Sequence, residues 1–238
     1  MDVDHLKSEI ATNGFAVVND VFTEQEIENM LSLISGANSS RPTFRKSSGL
    51  FAIRQFLKEI PEVTACIFSD SFVTLIQDVF GPGYFVTKSI YFDKPEESNW
   101  FVAYHQDLTI SVDKKIDIPG FGPWTVKQDQ FAVQPPQEIL AQNFTIRIHL
   151  DETTSENGAL KVISNSHTKG VFRLEDKNWD QEREVICEVK KGGIMIMRPL
   201  LLHASDRTAN HKKRRVIHIE FSKHELPQGL QWSEKFTF

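Results

Sequence analysis

The sequence predicts a mainly β protein with flanking α-helices: a sandwich or barrel preceded by a helical part over about residues 1–82. Three observations carry this. A helix start followed by an apolar stripe stands near the N-terminus. The apolar period changes after Gly81-Pro82-Gly83. Beyond that point come seven short β-type runs, separated by turn residues, as in antiparallel sandwiches and barrels.

The elements follow in order. Thr23-Glu24-Gln25-Glu26 has capping-box spacing, in which the Thr23 hydroxyl accepts from the Glu26 amide while Glu26 reaches back. Ile27, Met30, Leu31 and Ile34 continue at helical spacing, and Gly36 is the expected stop. Residues 50–60 and 62–80 read as two further helices, the second ended by Gly81-Pro82-Gly83. The β-type runs are FVTKSIYFDK, WFVAYHQDLTI, NFTIRIHLDE, ALKVIS, GGIMIM, PLLLHAS and RRVIHIEFS. Residues 112–138 read as a long irregular connection rich in Pro and Gly, with Phe121, Trp124 and Phe131 as large apolar groups. Connections of that length are usually functional or mobile, so a lid and a fixed loop are both open readings. The 238 residues fit one domain, with the barrel over about 83–222.

Composition excludes some classes. A net charge of -5 argues against a nucleic-acid partner. No apolar run approaches the roughly 18 to 20 residues of a membrane helix, so no membrane association is expected. Cys66 and Cys187 are isolated, with no C-x-x-C spacing, which suits a reducing compartment. The N-terminal MDVDHLKSEI has no apolar signal core, and the expected location is the cytoplasm. Nothing in the sequence speaks to oligomeric state.

The chemistry begins in AYHQDLTI. Residues two apart in a strand share a face, which would put His105, Asp107 and Thr109 together, opposite Tyr104, Leu108 and Ile110. In NFTIRIHLDE and RRVIHIEFS one face is apolar, and the other carries Arg147 and His149, or Arg214 and His218. His203 closes the apolar run LLLHAS. His105, Asp107 and His203 have the composition of a two-histidine, one-carboxylate site for Fe(II). By period alone His149-Leu150-Asp151 is a rival H-x-D pair, although Asp151 opens an acidic turn.

The chain resembles the phytanoyl-CoA dioxygenase family across most of its length. NGFAVVNDVFTEQEIENM is similar to the family's opening strand and helix. SIYFDKPEESNWFVAYHQDLTI resembles its F-D-K segment running into H-Q-D. IHLDETTSENGALKVISNSHTKG resembles its acidic turn and P-G-S-H segment, here Ser164-Asn165-Ser166-His167, and KGGIMIMRPLLLHAS the strand ending in the distal histidine. Losing Pro and Gly changes the backbone preferences of that turn, and His167 reads as a turn hydrogen-bonding group.

The resemblance implies a double-stranded β-helix, a cupin-like jelly roll, with Fe(II), 2-oxoglutarate and dioxygen. It implies metal ligation by His105, Asp107 and His203 rather than by the second H-x-D. Arg214, eleven residues past His203, has the family spacing for the arginine that binds 2-oxoglutarate, and Ser205 matches a serine that helps hold the same carboxylate. A buried dicarboxylate favours the planar fork of Arg over Lys; Arg215 shares the apolar face, and Lys88 is a further cosubstrate candidate. Arg147, His149, His218 and Trp124 are candidates for lining the substrate pocket. The expected activity is hydroxylation of a small polar or anionic metabolite, because Asp107 occupies the position that related halogenases give to a small residue; desaturation and rearrangement stay open beside it. Two rivals are a cupin-like metal-dependent hydrolase or isomerase, and a non-catalytic small-molecule-binding barrel.

Overall fold

Two antiparallel sheets face each other in the computed structural model, which describes residues 2–37, 40–47, 50–96, 101–127, 130–172 and 183–238. The larger sheet runs β1 (Phe15–Val18), β12 (Ile194–Met197), β9 (Phe144–His149), β14 (Arg214–Ser222), β4 (Phe85–Lys94), β3 (Leu50–Arg54), β2 (Phe44–Ser47). The smaller runs β11 (Glu184–Cys187), β10 (Leu160–Ile163), β13 (His203–Ser205), β5 (Val102–His105). Leu160, Val162 and Cys187 of the smaller sheet pack with Met195 and Met197 of the larger one between them. The result is a jelly roll, mainly β with flanking helices, as expected.

The helices cover the outer face of the larger sheet. They are α1 (Val3–Asn13), α2 (Glu24–Ser35), the short α3 (Phe56–Glu59) and α4 (Thr64–Ile67), and α5 (Asp70–Phe80); a short α6 (Gln137–Gln142) precedes β9. The capping box forms: Thr23 Oγ1 accepts from the Glu26 amide at 3.3 Å, and Glu26 Oε2 accepts from the Thr23 amide at 2.7 Å. Leu6, Ile10, Ile27, Met30, Phe72 and Ile76 join Ile146, Ile148, Ile194, Ile196, Ile217 and Ile219 in one buried cluster. Each such side chain contributes about 1.5–3 kcal/mol by leaving water. Alternation along β9 and β14 then turns Thr145, Arg147 and His149, and Arg214, His218 and Glu220, towards the space between the sheets.

The N-terminal part is less helical than the period suggests. Residues 50–60 do not form one helix: Leu50–Arg54 is β3, Gln55 turns at φ 51°, and only Phe56–Glu59 is helical. A short apolar run is ambiguous between helix and strand. Here pairing decides, with Phe51 opposite Asp93 and Ile53 opposite Tyr91 on β4. Residues 62–80 also divide: Pro61–Val63 is a 3-10 turn, α4 follows, and Phe68 and Ser69 break the chain before α5. The opening strand that the family resemblance implies forms as β1, whereas sequence reading missed β2, β3 and β11.

Residues 112–138 are not wholly irregular. With Ile110–Val112 (β6), Trp124–Lys127 (β7) and Gln130–Val133 (β8) the segment builds a third sheet, ordered β6-β8-β7. Ile110, Val112, Ile118 and Val133 are buried with Leu226, Leu230 and Trp232, and Phe121, Trp124 and Phe131 pack against that cluster, partly exposed. Trp100 at the head of the second β-type run, and residues 128–129, lie outside the described residues.

Candidate active site

His105, Asp107 and His203 come together between the sheets, with one ligand atom from each within 4.8 Å of the others. The two histidines are direct cross-strand partners of β5 and β13, their rings 4.2 Å apart. Asp107 arrives differently from the same-face expectation. The strand stops at His105, and the Asp107 amide donates instead to the Pro199 carbonyl at 2.9 Å. Gln106 pins this departure: its amide nitrogen donates to the Gly170 and Leu200 carbonyls, and its oxygen accepts from the Phe172 amide.

The donor set fits a divalent metal. Nδ1 of His105 and of His203 each lies 2.9 Å from the backbone carbonyl two residues earlier, Ala103 and Leu201. A carbonyl only accepts, so each Nδ1 carries the proton and a neutral ring leaves its Nε2 lone pair free. Backbone partners of this kind orient the ligand histidines of metal sites. Asp107 Oδ2 is buried with no hydrogen-bond partner among the described residues, an orphan that a cation satisfies. Burial alone would raise the Asp107 carboxyl, but His203, His218, Lys88 and His105 outweigh it and hold it at about 2. Burial lowers His203 to about 4, so it is neutral near neutral pH.

One end of the interior gathers cations. Arg214 is buried and donates to the Gly158 carbonyl. Gly158 has φ 85°, and a Cβ there would lie 2.8 Å from the Asp206 carbonyl oxygen and 2.9 Å from Lys94 Nζ, so the close approach requires glycine. Lys94, the cross-strand partner of Arg214, is 1% exposed and donates to the Asp206 carbonyl at 2.7 Å. Burial, and then Arg214, push it down to about 8. Burial, and then Arg147, lower Arg214 to about 9. Ser205 is buried on β13, opposite Leu160. Lys94 escaped the sequence reading as a site residue; its one signal was its place in the F-D-K segment.

The rival H-x-D pair dissolves. Asp151 takes Arg215, whose Nε and Nη2 donate to its two oxygens at 2.8 and 2.6 Å. His149 stays on the inner face, buried beside Val216. His167 lies outside the interior, 3.2 Å from the Ala11 carbonyl.

The opposite end holds a different network. Lys88 Nζ donates to Glu220 Oε1 at 2.6 Å, which lies 3.2 Å from His218 Nε2, while His218 Nδ1 lies 3.1 Å from Arg147 Nη1. On β4, Lys88 stands six residues from Lys94, the partner of Arg214. At ~3.3 Å per residue that is about 20 Å, so Lys88 and Arg214 cannot grip one carboxylate. Lys88 instead borders a cavity of about 160 Å³, with Arg54, Gln55, Gln130 and Glu234 among its polar lining and Phe131 of β8 on the side of the third sheet. Arg147, His149, His218 and Trp124 do not line this cavity. Arg147 and His218 belong to the network of Lys88 and Glu220, His149 lies opposite Val216 on β14, and Trp124 belongs to the apolar cluster of the third sheet.

The sequence profile of the phytanoyl-CoA dioxygenase family matches residues 10–216. No curated protein matches the chain. Among solved structures, EctD from S. alaskensis with 2-oxoglutarate and 5-hydroxyectoine is 16% identical with a TM-score of 0.70, covering 92% of this chain and 75% of its own. AviO1 from Streptomyces viridochromogenes Tue57 is 16% identical, TM-score 0.65, covering 95% and 97%. HygX from Streptomyces hygroscopicus with nickel, 2-oxoglutarate and hygromycin B is 14% identical, TM-score 0.64, covering 92% and 86%. At these identities the likeness establishes the fold, the double-stranded β-helix.

Proposed function

The chain belongs to the phytanoyl-CoA dioxygenase family, and from that premise we propose that it hydroxylates a C–H bond of a small polar or anionic metabolite. It is an Fe(II)- and 2-oxoglutarate-dependent dioxygenase. In our reading His105, Asp107 and His203 hold the iron, as one domain acting on a small molecule in the cytoplasm. Both cysteines are free, and among the described residues no single helix is long and apolar enough to cross a membrane.

Bound there, Fe(II) supplies the redox chemistry that couples oxidative decarboxylation of 2-oxoglutarate to oxidation of the substrate by dioxygen. The chain's own groups do the rest. The Ala103 and Leu201 carbonyls keep both imidazoles in the ligating tautomer. The depressed Asp107 carboxyl stays ionised at any working pH. Arg214, buried and paired with no carboxylate among the described residues, receives the far carboxylate of the cosubstrate, with Ser205 beside it. The cavity bordered by Lys88 receives the substrate. Its amide and charged lining, and its modest volume, favour a small hydrogen-bonding molecule over a long acyl chain.

The observation that carries this reading is the arrangement of the two histidines, with Nδ1 locked on carbonyls, around an orphaned carboxylate oxygen. The test is a screen of polar metabolites for Fe(II)-dependent conversion of 2-oxoglutarate to succinate. The expected result is turnover stimulated by one class of compound, with a product 16 mass units heavier, about one oxygen atom. Hydrolysis or isomerisation supported by Zn or Mn without 2-oxoglutarate would instead favour a cupin-like hydrolase or isomerase.

The third sheet serves here as a fixed wall of the substrate cavity, since its apolar residues share a cluster with Leu226, Leu230 and Trp232. Limited proteolysis should therefore cut slowly within residues 112–138, at the same rate with and without Fe(II), 2-oxoglutarate and substrate. Protection appearing only with ligands would make the segment a closing lid.

A further inference from the structure

We infer that Lys94 is a second cationic contact for the distal carboxylate of 2-oxoglutarate, beside Arg214. The inference rests on the 2-oxoglutarate-dependent reading above and adds a residue to it. Lys94 ends β4, Arg214 begins β14, and the two are cross-strand partners. Side chains directly opposite on paired strands lie on one face. Both therefore enter the interior at the same end, and both are buried, with 1% and 8% exposed. Their heads converge on one residue: a Cβ at Gly158 would lie 2.9 Å from Lys94 Nζ and 3.8 Å from Arg214 Nη1. Each head spends one N–H on a backbone carbonyl, Lys94 on that of Asp206 at 2.7 Å and Arg214 on that of Gly158. Asp206 directly follows Ser205, Gly158 stands two residues before Leu160, and Ser205 and Leu160 are opposite each other on β13 and β10. Lys94, Arg214 and Ser205 thus bound one corner of the interior.

Bonds to two carbonyls do not account for two buried charges. A neutral donor would hold a carbonyl as well, and burying a charge is costly unless an opposite charge meets it. Two like charges side by side add repulsion to that cost. Among the described residues no carboxylate bonds to either head: the Asp206 carboxylate is taken by Lys161 Nζ at 2.9 Å. Both heads also keep N–H groups to spare, since an ammonium has three and a guanidinium five. The group that answers this corner is an anion rich in acceptors. A carboxylate offers about four lone-pair sites. The fork of Arg214 takes two of them in parallel, which leaves the others for the Lys94 ammonium.

The test compares two 2-oxo acids on the Fe(II)-loaded protein without oxygen, by calorimetry. 2-Oxoglutarate has the distal carboxylate; 2-oxopentanoate has the same carbon chain without it. Lys94→Met keeps an apolar stem and removes the charge, and Lys94→Gln offers a neutral donor to the Asp206 carbonyl. Each should weaken 2-oxoglutarate by about tenfold or more, the effect of one hydrogen bond to a charged group, and leave 2-oxopentanoate unchanged. A residue that only positions Arg214 has no effect once Arg214 is gone. In an Arg214→Ala background Lys94→Met should instead cost about a further tenfold, because Lys94 is then the cation left to the carboxylate. Unchanged binding of 2-oxoglutarate to both Lys94 variants overturns the inference. An equal loss for both acids overturns it as well, by marking a packing role, and so does a loss that vanishes in the Arg214→Ala background. Wild-type protein that binds neither acid overturns both this inference and the reading beneath it, whereas wild-type binding with insensitive variants overturns this one alone.

Discussion

His105→Ala and His203→Ala should each lower Fe(II) affinity by at least on the order of 100-fold in an anaerobic metal titration, and abolish 2-oxoglutarate turnover. The size follows from what each ring does. Changing only the groups that orient a metal's ligands typically costs 10–100-fold in affinity or activity, and these substitutions remove a ligand itself. Two donors remain in either variant, and Asp107 keeps a buried oxygen without a partner. The two variants should differ in stability: His203 is buried between β10 and β5, whereas His105 is exposed at the end of its strand. His203→Ala is therefore expected to lower Tm and His105→Ala to leave it nearly unchanged. Wild-type iron affinity in both variants, with the fold intact by circular dichroism, rules out this ligand set.

Arg214→Ala should weaken 2-oxoglutarate binding by about 100-fold or more, while Arg215→Ala changes it little. Removing one partner of a buried charge pair costs about 3–5 kcal/mol, because the other is left buried and unpaired. In the complex that other partner is the cosubstrate's carboxylate. The neighbouring arginine is committed elsewhere, on the far face, with both oxygens of Asp151. Arg215→Ala should act on stability, through the loss of that pair. Arg214→Lys should fall between, since an ammonium keeps the charge and loses the fork. Equal losses at 214 and 215 would mean that the wrong face of β14 had been assigned to the interior.

Much of the site was legible because it depends on local pattern. The alternation in NFTIRIHLDE and RRVIHIEFS separates the helix-facing isoleucines from Arg147, His149, Arg214 and His218, and the sheet preserves that separation. The two-residue period sufficed to put Arg214 on the inner face and Arg215 on the other, and the family spacing added the choice of Arg214 for the cosubstrate. The capping box and the stop at Gly36 are contained within a few residues and form as written. Where local pattern was ambiguous it misled. LFAIR carries apolar residues compatible with either element, and only the presence of β4 as a partner makes it a strand. AYHQDLTI looked like one strand holding two ligands on a face, yet a backbone bond from Asp107 to Pro199, nearly a hundred residues away in sequence, ends the strand between them.

The sequence by itself determined which chemistry was present: two histidines and a carboxylate in family order, an arginine at the family spacing, and inner faces rich in Arg and His. These are matters of residue type and period, which a chain carries with it before it folds. Only the tertiary structure decided which groups meet. Strand register placed Lys88 with Glu220 and Lys94 with Arg214, exchanging the roles that two lysines on one face of one strand could have played. It gave Asp151 to Arg215 and left His149 Nε2 unpartnered. Register and pairing are set by contacts between segments far apart in the chain, and a shift of one residue turns every side chain to the other face. No local period contains that information, so the partners of the buried charges appear only once the sheets have closed on each other.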